Sequence, residues 1–156
     1  MAEIKKEQFG KLIRLCSPNM YRLAVGMLQN QQDAEDAVSE AVLRAYENIG
    51  KLRNAEKFKP WIMQITANEA RKIYNQRKRT VASEHLEKFM PIFEDERHEL
   101  WDAVMKLDMV FREVIILFYY DQLSIREIGQ TLNVKEGTVK SRLSRGKSQL
   151  REMLAE

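Results

Sequence analysis

What this chain of 156 residues has little of narrows it first. Its single cysteine, Cys16, excludes an internal disulfide and sets a reducing cytoplasm as the expected compartment. Flanked by Leu15 and Ser17, it is expected as a core residue at a helix end. With only 6 glycines and 3 prolines, and apolar residues at helical spacing throughout, the fold class is expected to be all-α. Long hydrophobic runs are absent: the longest, Val114 to Tyr120, is far too short to span a bilayer and is expected as a buried helix. The N-terminal MAEIKKEQFGKLIR lacks the apolar run of a signal peptide, so no direct membrane insertion is expected. The two histidines, His85 and His98, have no cysteine or second histidine at ligand spacing, and there is no Gly-rich phosphate loop. Glu35 and Asp36 are adjacent on a helix and point apart, so they cannot flank a substrate. No enzyme, metal or cofactor signature emerges.

What is present is a soluble globular composition, 44% hydrophobic and 31% charged. The net charge of +3 says less than its distribution, because acidic and basic residues are segregated along the chain. The most informative stretch, Asp121 to Leu154, reads as helix, sharp turn, helix. Ser124, Ile125, Arg126 and Glu127 form an S-x-x-E capping box that starts the first of these helices. Ile128 and Leu132 face inward, and Asn133, which tolerates a left-handed conformation, stands where that helix should stop. The second helix carries Val139, Leu143, Gly146, Leu150 and Leu154 on one stripe, leaving Lys140, Ser141, Ser144, Arg145 and Ser148 on the other. Short polar and basic residues near the start of such a helix suit close approach to base edges in the major groove. A solvated amphipathic helix is the plainer alternative. Lys135 stands where an N-cap would prefer Ser, Thr, Asp or Asn, a loss of about 0.5 to 2 kcal/mol that a phosphate at those amides would relieve. Gly146 inside the helix costs about 1 kcal/mol relative to Ala, which suggests close packing against the first helix of the pair.

Upstream, Phe9, Leu12, Ile13 and Leu15 mark a helix expected to stop before Ser17 and Pro18, which would open the next. Tyr21, Ala24, Val25 and Leu28 follow, then a polar loop from Gln29 to Gln32. A helix beginning near Asp33 turns Ala34, Val38, Ala41, Val42, Ala45 and Ile49 inward and shows an acidic face: Asp33, Glu35, Asp36, Glu40 and Glu47 against one Arg44. That face is either simply solvated or a dock for a basic partner. Pro60 starts a helix with Trp61, Ile62, Ile65 and Ile73 toward the core and Gln64, Asn68, Lys72, Asn75 and Arg79 along another side, beside Arg71, Arg77 and Lys78. A basic helix end with Tyr74 interleaved suits phosphate contact and base stacking, although basic last turns also complement the helix dipole. From Thr80 to Glu99 periodicity weakens and Pro91 interrupts it, as in a linker. Helical pattern resumes near Leu100 with Trp101, Val104 and Leu107, then Val110, Phe111, Val114, Ile115 and Phe118.

Two separated segments, DAEDAVSEAVLRAYENI with WIMQITANEARKIYNQRKR, and LWDAVMKLDMVFREVIILFYYDQLSIREIGQTLNVKEGTVKSRLSRGKSQL, resemble the extracytoplasmic-function (ECF) bacterial sigma factors. The resemblance implies two small helical domains joined by a flexible linker: a region at 1–80 for core polymerase docking and −10 recognition, a linker at 81–98, and a helix-turn-helix domain at 99–156 for the −35 element. It places polymerase docking on Asp36, Glu40 and Arg44, with Ser39 departing from the family's usual Gln. It assigns −10 contacts to Asn68, Arg71, Lys72, Asn75 and Arg79, with Asn68 in a pocket for a flipped base. Trp61 matches a family position too, yet core packing is expected for it. The −35 positions are Lys140, Ser141, Ser144 and Arg145, with Arg142 and Lys147 on phosphates. Asp108 for a usual Pro, and Gly129 for a usual Ala, are expected to be structural substitutions. The implied partners are bacterial RNA polymerase core, promoter DNA and an anti-sigma factor of the membrane-anchored kind; no cofactor is implied. An autonomous dimeric helix-turn-helix regulator is the alternative, which would need a self-association surface and half-sites about one helical turn apart.

Overall fold

The computed structural model describes residues 6–79 and 98–155, and the regular structure among them is entirely helical. The expected linker, with His85 and Pro91, lies outside the described residues except for His98, which opens a helix. The first unit comprises α1 (Lys6–Leu28), α2 (Gln31–Glu47) and α3 (Phe58–Arg79), each packed on the other two. Ala34, Ala37, Ala41 and Ala45 of α2 are all fully buried, a stripe of small side chains at helical spacing that lets the neighbouring helices come close. Met20, Leu23, Met27, Phe58, Ile62 and Met63 fill the space between.

Several expectations fail in this unit. The break at Ser17 and Pro18 does not occur, because α1 runs on as one helix with Pro18 inside it. A mid-helix proline loses a hydrogen bond and costs about 3 kcal/mol or more, but Phe9 before it and Met20, Leu23 and Met27 after it all bury against the same core. Cys16 is therefore a buried mid-helix residue, its thiol pushed up by burial, rather than a helix end. The polar loop also ends early, since Asn30 caps α2 by accepting from the backbone N–H of Asp33 at 2.9 Å. Asp33 is consequently turned inward, 4% exposed, and gripped by Arg77 at 2.5 and 2.6 Å. It does not belong to the outer acidic face.

The second unit comprises α4 (His98–Met105), α5 (Met109–Ile115), a π-helical turn (Ile116–Tyr120), α6 (Ile125–Leu132) and α7 (Glu136–Leu154). The capping box at α6 is formed in full: Ser124 Oγ accepts from the Glu127 N–H at 3.1 Å, and the Ser124 N–H donates to Glu127 Oε1 at 2.9 Å. Asn133 ends α6 in the left-handed region, at φ 57° and ψ 49°. Gly129 is required by the same turn, because a Cβ there would stand 2.8 Å from the Val134 carbonyl oxygen. Gly146 is also a close-approach residue, but toward α5 rather than α6: its Cβ would meet Ile115 Cγ1 at 3.1 Å. Val139, Leu143 and Leu150 are buried as expected, whereas Leu154, at the last turn of the helix where the core has ended, is 42% exposed.

The two units pack together, α1 on α5 and the π-helical turn, α3 on α6. Gly26 marks a close approach; a Cβ there would lie 2.1 Å from Ile116 Cδ1.

Candidate nucleic-acid interface

On α3 the sequence places Asn68, Lys72 and Asn75 one turn apart, and the helix presents all three to solvent. They line a cleft of 610 Å³ together with Arg71, Trp61 and Ile65 on one side and Arg44, Asn48 and Lys51 from α2 and the turn after it. An amide that both donates and accepts thus stands beside cationic groups and an aromatic wall, a combination able to hold a nucleic-acid strand and read one base edge. Trp61 is half-buried against Phe58, ring centroids 5.7 Å apart, so it is a wall of the cleft as well as a core element. The Arg79 side chain lies outside the described part of α3.

A carboxylate the sequence did not single out organises this cleft. Glu69, 5% exposed, accepts from Arg44 Nε at 2.8 Å and from Lys72 Nζ at 3.2 Å. A buried anion needs such pairing, and the consequence is that both cations are held at the cleft edge. Arg44 is thereby divided between surfaces, since it also lies 3.7 Å from Glu40 on α2. Asp36 and Glu40 are exposed on α2, one helical turn apart, with Leu43 and Tyr46 exposed beyond them. Arg71 is engaged elsewhere, its Nη2 lying 3.1 Å from Oε2 of Glu113 in α5.

On α7, Lys140, Ser141, Ser144, Arg145 and Lys147 are all exposed, and Arg142 is half-buried. They fall on two shallow grooves: Lys140, Ser144 and Lys147 beside Phe118 and Ile125, and Ser141, Arg142 and Arg145 beside Val110 and Phe111. Lys147 Nζ sits 5.5 Å from the centre of the Tyr119 ring, which steadies its ammonium. Lys135 does precede α7 without a side-chain cap, leaving the first amides of α7 open to an anion.

Two further groups missed from the sequence are buried where the units meet. Burial pushes the Glu113 carboxyl up, against the pull of Arg71, Arg142 and Arg112. Asp121 is fully buried, its Oδ1 accepting from Asn19 Nδ2 at 3.1 Å and Arg22 Nε at 3.2 Å; burial raises it to about 7 despite Arg22. Among the described residues no three His, Cys, Asp or Glu side chains are grouped to hold a metal, and no helix is long and apolar enough to cross a membrane.

A helix-turn-helix unit beside a second, cleft-bearing helical unit is the architecture of a DNA-binding factor. Known families match the same division: Sigma-70 region 2 over residues 12–80 and Sigma-70, region 4, over residues 97–150. The ECF RNA polymerase sigma factor SigW of Bacillus subtilis is 30% identical over 97% of this chain and 93% of its own length. SigE of Mycolicibacterium smegmatis is 34% identical over 93% of the chain, which spans 61% of that relative's length. In fold, the chain is similar to the sigma factor RpoE solved with the anti-sigma factor NepR from Bartonella quintana, with a TM-score of 0.78 at 22% identity over 96% of this chain and 98% of that one. The chain belongs to the ECF family of RNA polymerase sigma factors. That membership sets aside the autonomous dimeric regulator.

Proposed function

We propose that this sigma factor divides its work by element. Region 1–80 docks on core polymerase through Asp36, Glu40 and Arg44 and reads the −10 element with Asn68, Arg71, Lys72, Asn75 and Arg79. Region 99–156 reads the −35 element with Lys140, Ser141, Ser144 and Arg145, while Arg142 and Lys147 meet phosphates; 81–98 joins the two. The observation that supports this reading is the α3 cleft, which Asn68 lines together with Trp61 and the cations Lys72 and Arg44. Such a site suits an unstacked base and its flanking phosphates. The protein contributes binding and strand opening to initiation, not covalent chemistry, and acts in the cytoplasm. An anti-sigma factor is the expected regulator, as NepR is for the Bartonella protein.

Extruding a base costs a few kcal/mol, offset only by contacts made in the open form. Asn68→Ala should therefore bind core polymerase and reach the closed promoter complex, yet leave fewer permanganate-reactive thymines near the start site, with partial rescue on a pre-melted template. Wild-type melting would remove Asn68 from base capture, and joint loss of thermal stability and core binding would assign it a packing role instead.

A further inference from the structure

Among the described residues that line the α3 cleft, Glu69 is the one acid, set against the cations Arg44, Lys51, Arg71 and Lys72. Its Oε2 lies 2.8 Å from Arg44 Nε, which comes from α2, and 3.2 Å from Lys72 Nζ on its own helix. Two cations from two elements therefore converge on a single oxygen. The Glu69 side chain is 7% exposed, whereas those of Arg44 and Lys72 are 48% and 55% exposed. The acid is a fixed post in the cleft wall, and the cations tied to it reach into solvent.

We propose that Glu69 is a positioning residue of the −10 site: it sets Arg44 and Lys72 at one place relative to the Asn68 amide, and so makes strand binding there depend on the base as well as on phosphate charge. This rests on the assignment of −10 reading to the α3 cleft. A loose Lys or Arg side chain can follow a phosphate of any strand, which is the sequence-independent part of nucleic-acid binding. Anchored before the strand arrives, it needs little further ordering and accepts a phosphate at one place only. Asn68 precedes Glu69 in α3 and Lys72 stands one helical turn beyond Asn68, so the phosphate held by the cations and the base edge met by the amide share one register. The anchoring leaves donors for that phosphate. Both ion pairs of Arg44, with Glu69 and with Glu40, run through Nε, and Lys72 gives Glu69 one of the three donors of its ammonium group. Without Glu69, Arg44 keeps only Glu40 as an acidic partner, at 3.7 Å on the α2 surface, and Lys72 loses the acid that ties it to the cleft wall.

The test uses holoenzyme assembled with the full chain and two fluorescent single strands, one bearing the −10 sequence of a promoter this protein transcribes and one with the same bases scrambled. The readouts are the ratio of the two affinities and the salt dependence of each. Glu69→Gln keeps the shape and removes the charge. Because Arg44 and Lys72 are about half-exposed, water solvates them in this variant and no buried charge is left stranded to unfold the protein. Its ratio of −10 to scrambled affinity should fall by about 10-fold, the scale of one hydrogen bond to a charged group, and its salt dependence should steepen because the cleft has gained net positive charge. Glu69→Asp keeps the charge but withdraws the oxygen by one methylene, and its ratio should fall between wild type and Glu69→Gln. A wild-type ratio for Glu69→Gln would overturn the role, whether both strands bind as before or both tighten equally through the added charge. If Glu69→Gln does not fold, a wild-type ratio for Glu69→Asp overturns it instead. Asn68→Ala and Lys72→Ala separate the role from the reading beneath it. If both leave the −10 strand bound as in wild type, the cleft is not the −10 site, whereas weakened binding in them beside a wild-type ratio in Glu69→Gln removes Glu69 alone.

Discussion

Arg71 and Glu113, 42 residues apart in sequence, meet at 3.1 Å across the contact between the two units. The pair joins α3, which lines the cleft, to α5, on which α7 packs. It places an ion pair in the contact between the units, and Asp121 adds a carboxyl raised by burial.

Stability should fall as pH rises toward neutrality on account of Asp121. Its carboxyl is raised from an ordinary 3.8 to about 7 by burial, against Arg22, Asn19 and Lys59. Between those values the folded protein holds a proton that the unfolded chain has released, so the contribution is fully present below the unfolded pKa and lost by about pH 7. Glu113, raised by burial as well, acts with the same sign. Thermal melts from about pH 5 to pH 8 should show a steeper decline for wild type than for Asp121→Asn. Parallel curves would remove Asp121 as a titrating group in this window.

Charge reversal on α2 should separate docking from folding. Asp36 and Glu40 are exposed, and the Glu40–Arg44 pair at 3.7 Å is half-exposed on both sides, so Asp36→Lys with Glu40→Lys should change stability by less than about 1 kcal/mol. Affinity for core polymerase should drop in a pull-down titration. Unchanged affinity would move the dock elsewhere.

On α7 two basic residues should behave differently. Arg145→Ala should cost about 1 to 3 kcal/mol at the preferred site and relax the choice of base at one position. Lys147→Ala should weaken every sequence alike and flatten the salt dependence. A binding-site selection returning the same preferred base at every position for Arg145→Ala and wild type would exclude Arg145 from the readout.

Features set by neighbours in sequence were legible in advance. The Ser124 and Glu127 box, the left-handed Asn133, the uncapped Lys135 and the shared side of Asn68, Lys72 and Asn75 all depend on spacings of a few residues. What was not legible depends on distant partners. Asp121 finds Arg22 and Asn19 at separations of 99 and 102 residues, and nothing beside it in the chain announces that it is buried. The helical pattern puts Asp33 on the solvent face, yet it is buried and paired with Arg77, 44 residues on. Pro18 misled for a related reason: a local helix-breaking signal was outweighed by the burial of side chains on both sides of it. Gly146 was understood as a close-approach residue, but its neighbour proved to be Ile115 because α5, not α6, lies under that part of α7.

Transcription reconstituted from bacterial core polymerase, this protein and a promoter library bears most directly on the division of labour between α2, α3 and α7. Transcripts should start at defined sites whose upstream sequences share two separated elements. Changing the −35 contacts of α7 should shift the upstream preference alone, and changing Asn68 should reduce opening without moving it. An active core that gives no start-site-specific transcripts with this protein, or selected promoters with only one shared element, would contradict the account.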